Sequence, residues 1–121
     1  MPETIDQVAV ARLLAMVGND PDFVSELVDD YLAEAPQLAA AVRAAVDAGD
    51  ADGVVLPAHT LKGTSSNLGG VRVAEIAQGI EKRGRAGDLD GVDAMLADLE
   101  VALIELTAAF ERARARRWAG A

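Results

Sequence analysis

The chain lacks cysteine altogether, holds a single histidine and is poor in aromatic residues. Without cysteine it can form no disulfide, no thiolate nucleophile and no cysteine-based zinc site. Aromatic residues make up 3% of the sequence while alanine and leucine are abundant, a balance that favours helix over sheet. Its 121 residues suffice for one buried core. We therefore predict one all-α domain over residues 1–121, with its core at about residues 4–115.

Long apolar runs and an excess of positive charge are also missing. No run approaches the roughly 18 apolar residues that cross a bilayer, and the N-terminus lacks the layout of a signal peptide. The net charge is -9, which argues against nucleic-acid binding. The basic stretch at 112–118 is interpreted as a solvated helix end. We predict a cytoplasmic monomer that binds neither membranes nor nucleic acid.

Capping signals and apolar periodicity divide the chain into five helices. They are expected at about Thr4 to Val17, Pro21 to Ala48, Ala51 to Asn67, Val71 to Arg85 and Leu89 to Arg117. Pro36 should kink or divide the second of them. Short connectors between helices of this length indicate an antiparallel, up-and-down four-helix bundle, with the short first helix packed across one end.

The sequence lacks the ligands that two kinds of metal site require. The Asp-x-Asp-Gly runs at 50–53 and 88–91 could open calcium loops, but the twelfth position of each loop is Leu61 or Leu99 instead of glutamate. A metal-storing bundle needs inward Glu-x-x-His pairs, and Leu56 occupies the place three residues before His59. We predict no metal site in this chain.

The single histidine, His59, is predicted to face away from the core. The apolar stripe on its helix consists of Val54, Ala58, Leu61, Ser65 and Leu68. His59 lies roughly 140° from the middle of that stripe. An exposed imidazole is a nucleophile through its unprotonated nitrogen, and the ammonium of Lys62, one turn away, can balance incoming negative charge. At an exposed helix position, glycine lowers helix stability by about 1 kcal/mol relative to alanine. Room for a bulky group on His59 would explain why glycine occupies position 63.

The run from His59 to Gly69, with its His-x-Leu-Lys-Gly-x-Ser pattern, resembles the signature of the histidine-containing phosphotransfer (HPt) domain. The resemblance implies a phosphorelay intermediate that takes a phosphoryl group from a receiver-domain aspartate and passes it to another receiver. It implies partners among response-regulator receivers and hybrid histidine kinases, and no ATP hydrolysis. It also implies that the chain itself needs no cofactor, because the magnesium used in transfer would belong to the receiver.

The resemblance also assigns roles by position. His59 becomes the phosphoacceptor, Lys62 its electrostatic partner, Gly63 the clearance residue and Arg85 a supporting cation on the neighbouring helix. The implied docking face consists of Leu13, Met16, Phe23 and Leu27, to which the outward residues Val55 and Ser66 are added. Pro57 departs from this pattern, and it should kink the helix or delay its start beyond Ala51.

One alternative remains open at this stage. The chain could be a non-catalytic docking module whose histidine is no longer used, and incubation with a phosphorylated receiver separates the two hypotheses. The initial methionine and the complete bundle favour a free-standing protein.

Overall fold

Five helices make up the secondary structure of the described residues in a computed structural model of the chain, which describes residues 7–16, 18, 20–116 and 118. They are α1 (Gln7–Met16), α2 (Pro21–Asp47), α3 (Ala51–Asn67), α4 (Val71–Arg85) and α5 (Val92–Ala115). The predicted all-α class is confirmed. A capping box is predicted at residues 4–7, and of these only Gln7, the first residue of α1, is among the described residues.

Aspartate side chains cap the starts of α2 and α3, and left-handed glycines follow the ends of α2 and α4. Asp20 accepts hydrogen bonds from the backbone N–H groups of the first turn of α2, and Asp50 accepts one from Gly53 at 2.9 Å. Gly49 and Gly87 adopt φ of 67° and 71°, a conformation that glycine adopts without a steric penalty. Each such glycine ends one helix and lets the chain turn directly toward the next.

The predicted start of α5 was wrong by three residues. The helix begins at Val92 and not at Leu89. The carboxylate of Asp88 accepts a hydrogen bond from the backbone N–H of Asp90 at 3.0 Å, and Gly91 has φ of 80°. This local turn competes with helical pairing and delays the helix by nearly one turn.

Neither internal proline interrupts its helix. α2 is continuous through Pro36, and α3 begins at Ala51 with Pro57 inside it. A division of α2 and a late start of α3 are therefore wrong, and the other predicted outcome, a kink at each proline, stays a prediction. A proline removes one intrahelical hydrogen bond, while the buried side chains on either side of it stay in the core. Packing on both sides of each proline therefore keeps the helix continuous.

The four long helices form a ring in which α3 packs against α2 and α4, and α5 packs against the same two helices. α3 and α5 therefore lie diagonally opposite each other, while α1 contacts α2 and α3. Valine, leucine and alanine fill most of the core. Near one end, the ring of Tyr31 packs edge-on against Phe110 at 6.2 Å and shares a 2.7 Å hydrogen bond with the buried hydroxyl of Ser65. Burial raises the pKa of Tyr31.

The basic end of α5 is partly tied to α2 and is not wholly solvated as predicted. Arg114 donates to Asp29 at 2.7 Å, and the indole N–H of Trp118 donates to Ser25 at 3.1 Å. Trp118 itself is buried against Phe110. Among the described helices, none is long and apolar enough to cross a membrane.

Candidate functional site

His59 lies on the exposed side of α3, with 55% of its side chain accessible to solvent. The five residues of the predicted inward stripe on this helix are all buried. Because those residues hold the opposite face of α3 against the core, the imidazole is directed outward. The predicted orientation of His59 is confirmed.

A buried carboxylate from the neighbouring helix holds the imidazole ring. Glu81 of α4 has a side chain only 7% exposed, and its Oε2 lies 3.1 Å from Nδ1 of His59. Its Oε1 lies 2.9 Å from Nζ of Lys62. Arg85, one turn further along α4, donates to Oε2 from Nε at 3.0 Å and from Nη2 at 2.8 Å. One carboxylate therefore joins the histidine and both predicted cations in a single cluster.

The surroundings of Glu81 keep it ionised. The hydrogen bond from Lys62 lowers its pKa most strongly, burial opposes that effect, and hydrogen bonds from Arg85 and His59 lower the pKa further, to about 2. A buried carboxylate is stable only when its charge is paired and its oxygens are hydrogen-bonded. Lys62 and Arg85 pair its charge here, and the imidazole and the guanidinium donate hydrogen bonds to Oε2.

An ionised carboxylate also determines which nitrogen of His59 can react. Ionised carboxylate oxygens only accept hydrogen bonds. Nδ1 therefore keeps the ring proton and donates a hydrogen bond to Glu81. In the neutral ring the lone pair then lies on Nε2. The geometry presents one nucleophilic nitrogen, oriented by a hydrogen bond at the other.

Gly63 follows Lys62 on the exposed side of α3. A Cβ added to Gly63 would meet no atom within 4 Å, so the space beside this residue is open. Leu56, three residues before His59, exposes 72% of its surface although it is apolar. The environment of His59 thus combines open space and an apolar side chain on one helix.

The predicted docking residues are only partly brought together. Four of them (Leu13, Met16, Leu27 and Ser66) line one cleft of about 520 Å³ between α1, α2 and the end of α3. Phe23 is 44% exposed but does not line this cleft. Val55 is half-buried beside Gly84, where it packs against α4. Within the part of the chain that the structure describes, no three acidic, histidine or cysteine residues cluster as a metal site.

Glu81 is the functional residue that sequence analysis missed. It follows Ile80 and precedes Gly84 on the buried face of α4, so a charged residue stands among apolar positions. Arg85 stands four residues later, at the spacing of a helical ion pair. A charge on an otherwise apolar stripe, with a partner one turn away, was the available signal. The spacing of the apolar positions alone does not reveal it.

An exposed imidazole beside an ammonium on a four-helix bundle agrees with the HPt resemblance. The model of the Hpt domain family matches residues 26–116, and the chain belongs to that family. It is a histidine phosphotransfer protein of phosphorelay signalling, as the HPt resemblance predicted. Hpt domains interact with receiver domains and histidine kinases.

A solved structure extends the similarity beyond the family match. The chain is similar to histidine-containing phosphotransfer protein B (HptB) from Pseudomonas aeruginosa PAO1, with 26% identity and a TM-score of 0.85. The alignment covers 96% of this chain and 98% of the HptB chain. A search of curated protein sequences found no match. Because the family match starts at residue 26, α1 is covered by the structural similarity alone.

Proposed function

We propose that His59 is the phosphoacceptor of this chain and that Nε2 is the reacting atom. The observation that carries the proposal is the 3.1 Å contact between Nδ1 of His59 and the ionised Glu81. That hydrogen bond leaves the lone pair on Nε2 of an imidazole that is more than half exposed. Phosphoryl groups then reach the ring from solvent without any movement of the core.

The transfer step is a displacement at phosphorus. The Nε2 lone pair attacks the phosphorus of an aspartyl phosphate on a receiver domain, a P–N bond forms, and the P–O bond to the aspartate breaks. The aspartate leaves with the bonding electrons as a carboxylate. The ring keeps its Nδ1 proton and becomes cationic, and Glu81 stabilises that charge. Attack by a second receiver's aspartate reverses these changes and regenerates neutral His59.

Lys62 and Arg85 supply positive charge beside the reacting ring. Both are held on Glu81, Lys62 at 2.9 Å and Arg85 at 2.8 Å, and both remain partly exposed. In this proposal the ammonium of Lys62 stabilises the negative charge of the phosphoryl group in flight. Arg85 acts as a positioning residue, because it neutralises Glu81 and so orients His59. Gly63 leaves room for the phosphoryl group and the incoming receiver.

The partners follow from the same chemistry. The chain exchanges phosphoryl groups with response-regulator receivers or with the receiver of a hybrid histidine kinase, and the apolar cleft at Leu13, Met16 and Leu27 is the docking site. Magnesium is held by the receiver, and ATP is not a substrate of this chain. We place this activity in the cytoplasm.

Phosphotransfer from a labelled receiver tests this proposal. A receiver domain carrying radioactive phosphate on its aspartate should transfer label to the parent chain and not to a folded His59→Gln variant. The label should be lost in acid and survive alkali, as phosphoramidates do. A parent chain that binds the phosphorylated receiver and never takes up label would instead be the non-catalytic docking module. Label on a folded His59→Gln variant would exclude His59 as the acceptor.

A further inference from the structure

The two helices that flank α3 carry opposite charge. Residues 20–34, which include the N-cap and first half of α2, contain six acids, and no lysine or arginine occurs between residues 13 and 42. The last turn of α4 contains three bases: Lys82, Arg83 and Arg85. Because α3 packs between α2 and α4, His59 has an acidic flank on one side and a basic flank on the other.

The cleft lies on the acidic side and near His59. Ser66 lines it and stands seven residues after His59, so both residues lie on the same face of α3 about 10 Å apart along the axis. A receiver large enough to enclose the imidazole therefore also covers the mouth of the cleft. Met16 at this mouth is 82% exposed and offers an apolar contact.

The cleft combines an apolar lining with exposed acids. Asp30 and Glu34 line it beside Leu27. Both acids are exposed, and neither takes part in an ion pair among the residues that the structure describes. Arg12 is the single base among the described lining residues. The cleft thus offers an apolar surface beside two available negative charges.

We propose that the partner receiver places lysine or arginine residues against Asp30 and Glu34, at the edge of the apolar cleft that the proposed function assigns to docking. The inference rests on the proposed function and deepens it, because it states the chemistry of the partner's docking surface. Because α2 is acidic and α4 is basic, a receiver with opposite charges on its own two sides can bind across α3 in only one favourable orientation. A receiver whose basic flank lies over α2 turns its acidic pocket toward Lys62 and Arg85, where the phosphoryl group is exchanged.

Charge reversal on α2 tests this inference. The variant is Asp30→Lys with Glu34→Lys, and the matched control is Asp98→Lys with Glu105→Lys on α5, diagonally opposite α3. All four positions are exposed, so both variants should fold. The probe is a purified receiver domain phosphorylated with acetyl phosphate, and the transfer rate is followed against receiver concentration at low and high salt.

We expect the second-order rate constant to fall about 10-fold or more in the α2 variant at low salt, because steering of a basic flank is lost. Added salt should reduce the difference in second-order rate constant between the α2 variant and the parent, because it screens the charges. The rate at saturating receiver should stay within about twofold of the parent, since Asp30 and Glu34 do not touch the reacting atoms. The α5 control should remain within about twofold of the parent in both quantities.

Three results would overturn the inference. The first is an unchanged second-order rate constant in the α2 variant, and the second is an equal loss in the α5 control. The third is self-association of the parent chain through α2, together with unchanged transfer by the α2 variant. That result would mean that a second copy of the chain occupies the cleft. If no receiver labels His59 in the parent, the proposed function itself fails. Labelling of His59 with unchanged kinetics refutes the docking inference alone.

Discussion

A single carboxylate organises the residues around His59. Glu81 holds the imidazole through Nδ1, the ammonium of Lys62 through Oε1 and the guanidinium of Arg85 through Oε2. Such shared contacts orient the reacting ring in the way that outer ligands orient a metal-bound histidine. Removal of Lys62 or Arg85 would take one positive charge away from this carboxylate.

Lys62 is the cation whose loss should affect the transfer rate most. Its ammonium is held at Glu81 and its side chain is 30% exposed, so it is both oriented and reachable by a bound receiver. We expect Lys62→Ala to slow transfer at saturating receiver by about 10-fold to 1000-fold, the scale of one lost electrostatic donor. Lys62→Arg should retain most of the rate, because it keeps the positive charge. Rapid-quench kinetics give the measurement, and an unchanged rate in Lys62→Ala would make this lysine an ordinary surface charge.

The residues of α3 could be predicted from sequence, whereas their partner on α4 was not. His59, Lys62 and Gly63 stand within one helical turn, so their relative positions follow from helix geometry alone. Glu81 is 22 residues from His59, and its contact depends on how α3 and α4 pack. A pairing of that kind is set by the tertiary structure. The one sequence feature that indicates this pairing is the charge of Glu81 among the apolar positions of α4.

Two helical glycines near the site differ in the space around them. An added Cβ at Gly63 meets no atom within 4 Å, whereas one at Gly84 would lie 2.9 Å from the backbone oxygen of Ala51. Gly84 thus allows α4 to approach α3 closely, which the contact between Glu81 and His59 requires. Gly63 has no such packing role in the structure.

Alanine substitutions at these glycines should therefore change stability in opposite directions. Gly63→Ala should raise the free energy of unfolding by about 1 kcal/mol or less, because alanine is the better helix former. Gly84→Ala should lower it, because the backbone of α3 cannot move away without loss of packing. Denaturant titrations of both variants provide the measurement.

The clearance role of Gly63 needs a second substitution. Gly63→Gln should keep the gain in stability and slow the approach of a receiver to His59. A fall in stability for both Gly63→Ala and Gly63→Gln would show that this glycine serves helix packing. Transfer by Gly63→Gln as fast as in the parent would likewise contradict the clearance role.

Helix boundaries could be predicted where side chains cap the backbone and less well where local turns compete. Asp20 and Asp50 mark the starts of α2 and α3 in sequence and in structure. The start of α5 was placed too early because the turn made by Asp88 and Gly91 is not visible as a break in apolar spacing. Neither proline ends or delays its helix, since buried residues on both sides keep α2 and α3 continuous.

At the scale of the whole molecule, the bundle should lose stability in acid partly through Glu81. Its folded-state pKa of about 2 lies below the ordinary value of 4.5, so the ionised carboxylate stabilises the folded chain above about pH 4.5. This contribution is lost as the pH falls toward 2. Glu81→Gln lacks it at every pH.

The corresponding measurement compares unfolding free energies from about pH 6 down to about pH 3. The parent should be more stable than Glu81→Gln at the upper end, and the gap should shrink steadily below about pH 4.5. Asp98→Asn, which removes an exposed acid on α5, serves as the control and should show no comparable gap. A constant difference between the parent and Glu81→Gln across this range would contradict the ionised, paired state of Glu81.

The general arrangement of the molecule was predictable, and its docking surface was predictable only in part. Periodicity and short connectors indicate an antiparallel bundle, which the contacts among α2, α3, α4 and α5 confirm. The cleft depends on where α1 lies against α2 and α3, and no local pattern specifies that placement. Phe23 and Val55 were grouped with it on sequence grounds, and the structure places them elsewhere.

The most direct test of the central claim is to identify which ring nitrogen of His59 carries the phosphoryl group. Because the chain has one histidine, nitrogen-15 labelling and phosphorus NMR of the phosphorylated protein give a single assignable site. The contact between Nδ1 and Glu81 predicts a P–N bond at Nε2, with Nδ1 still protonated. A phosphoryl group on Nδ1, or on any residue other than His59, would contradict the account.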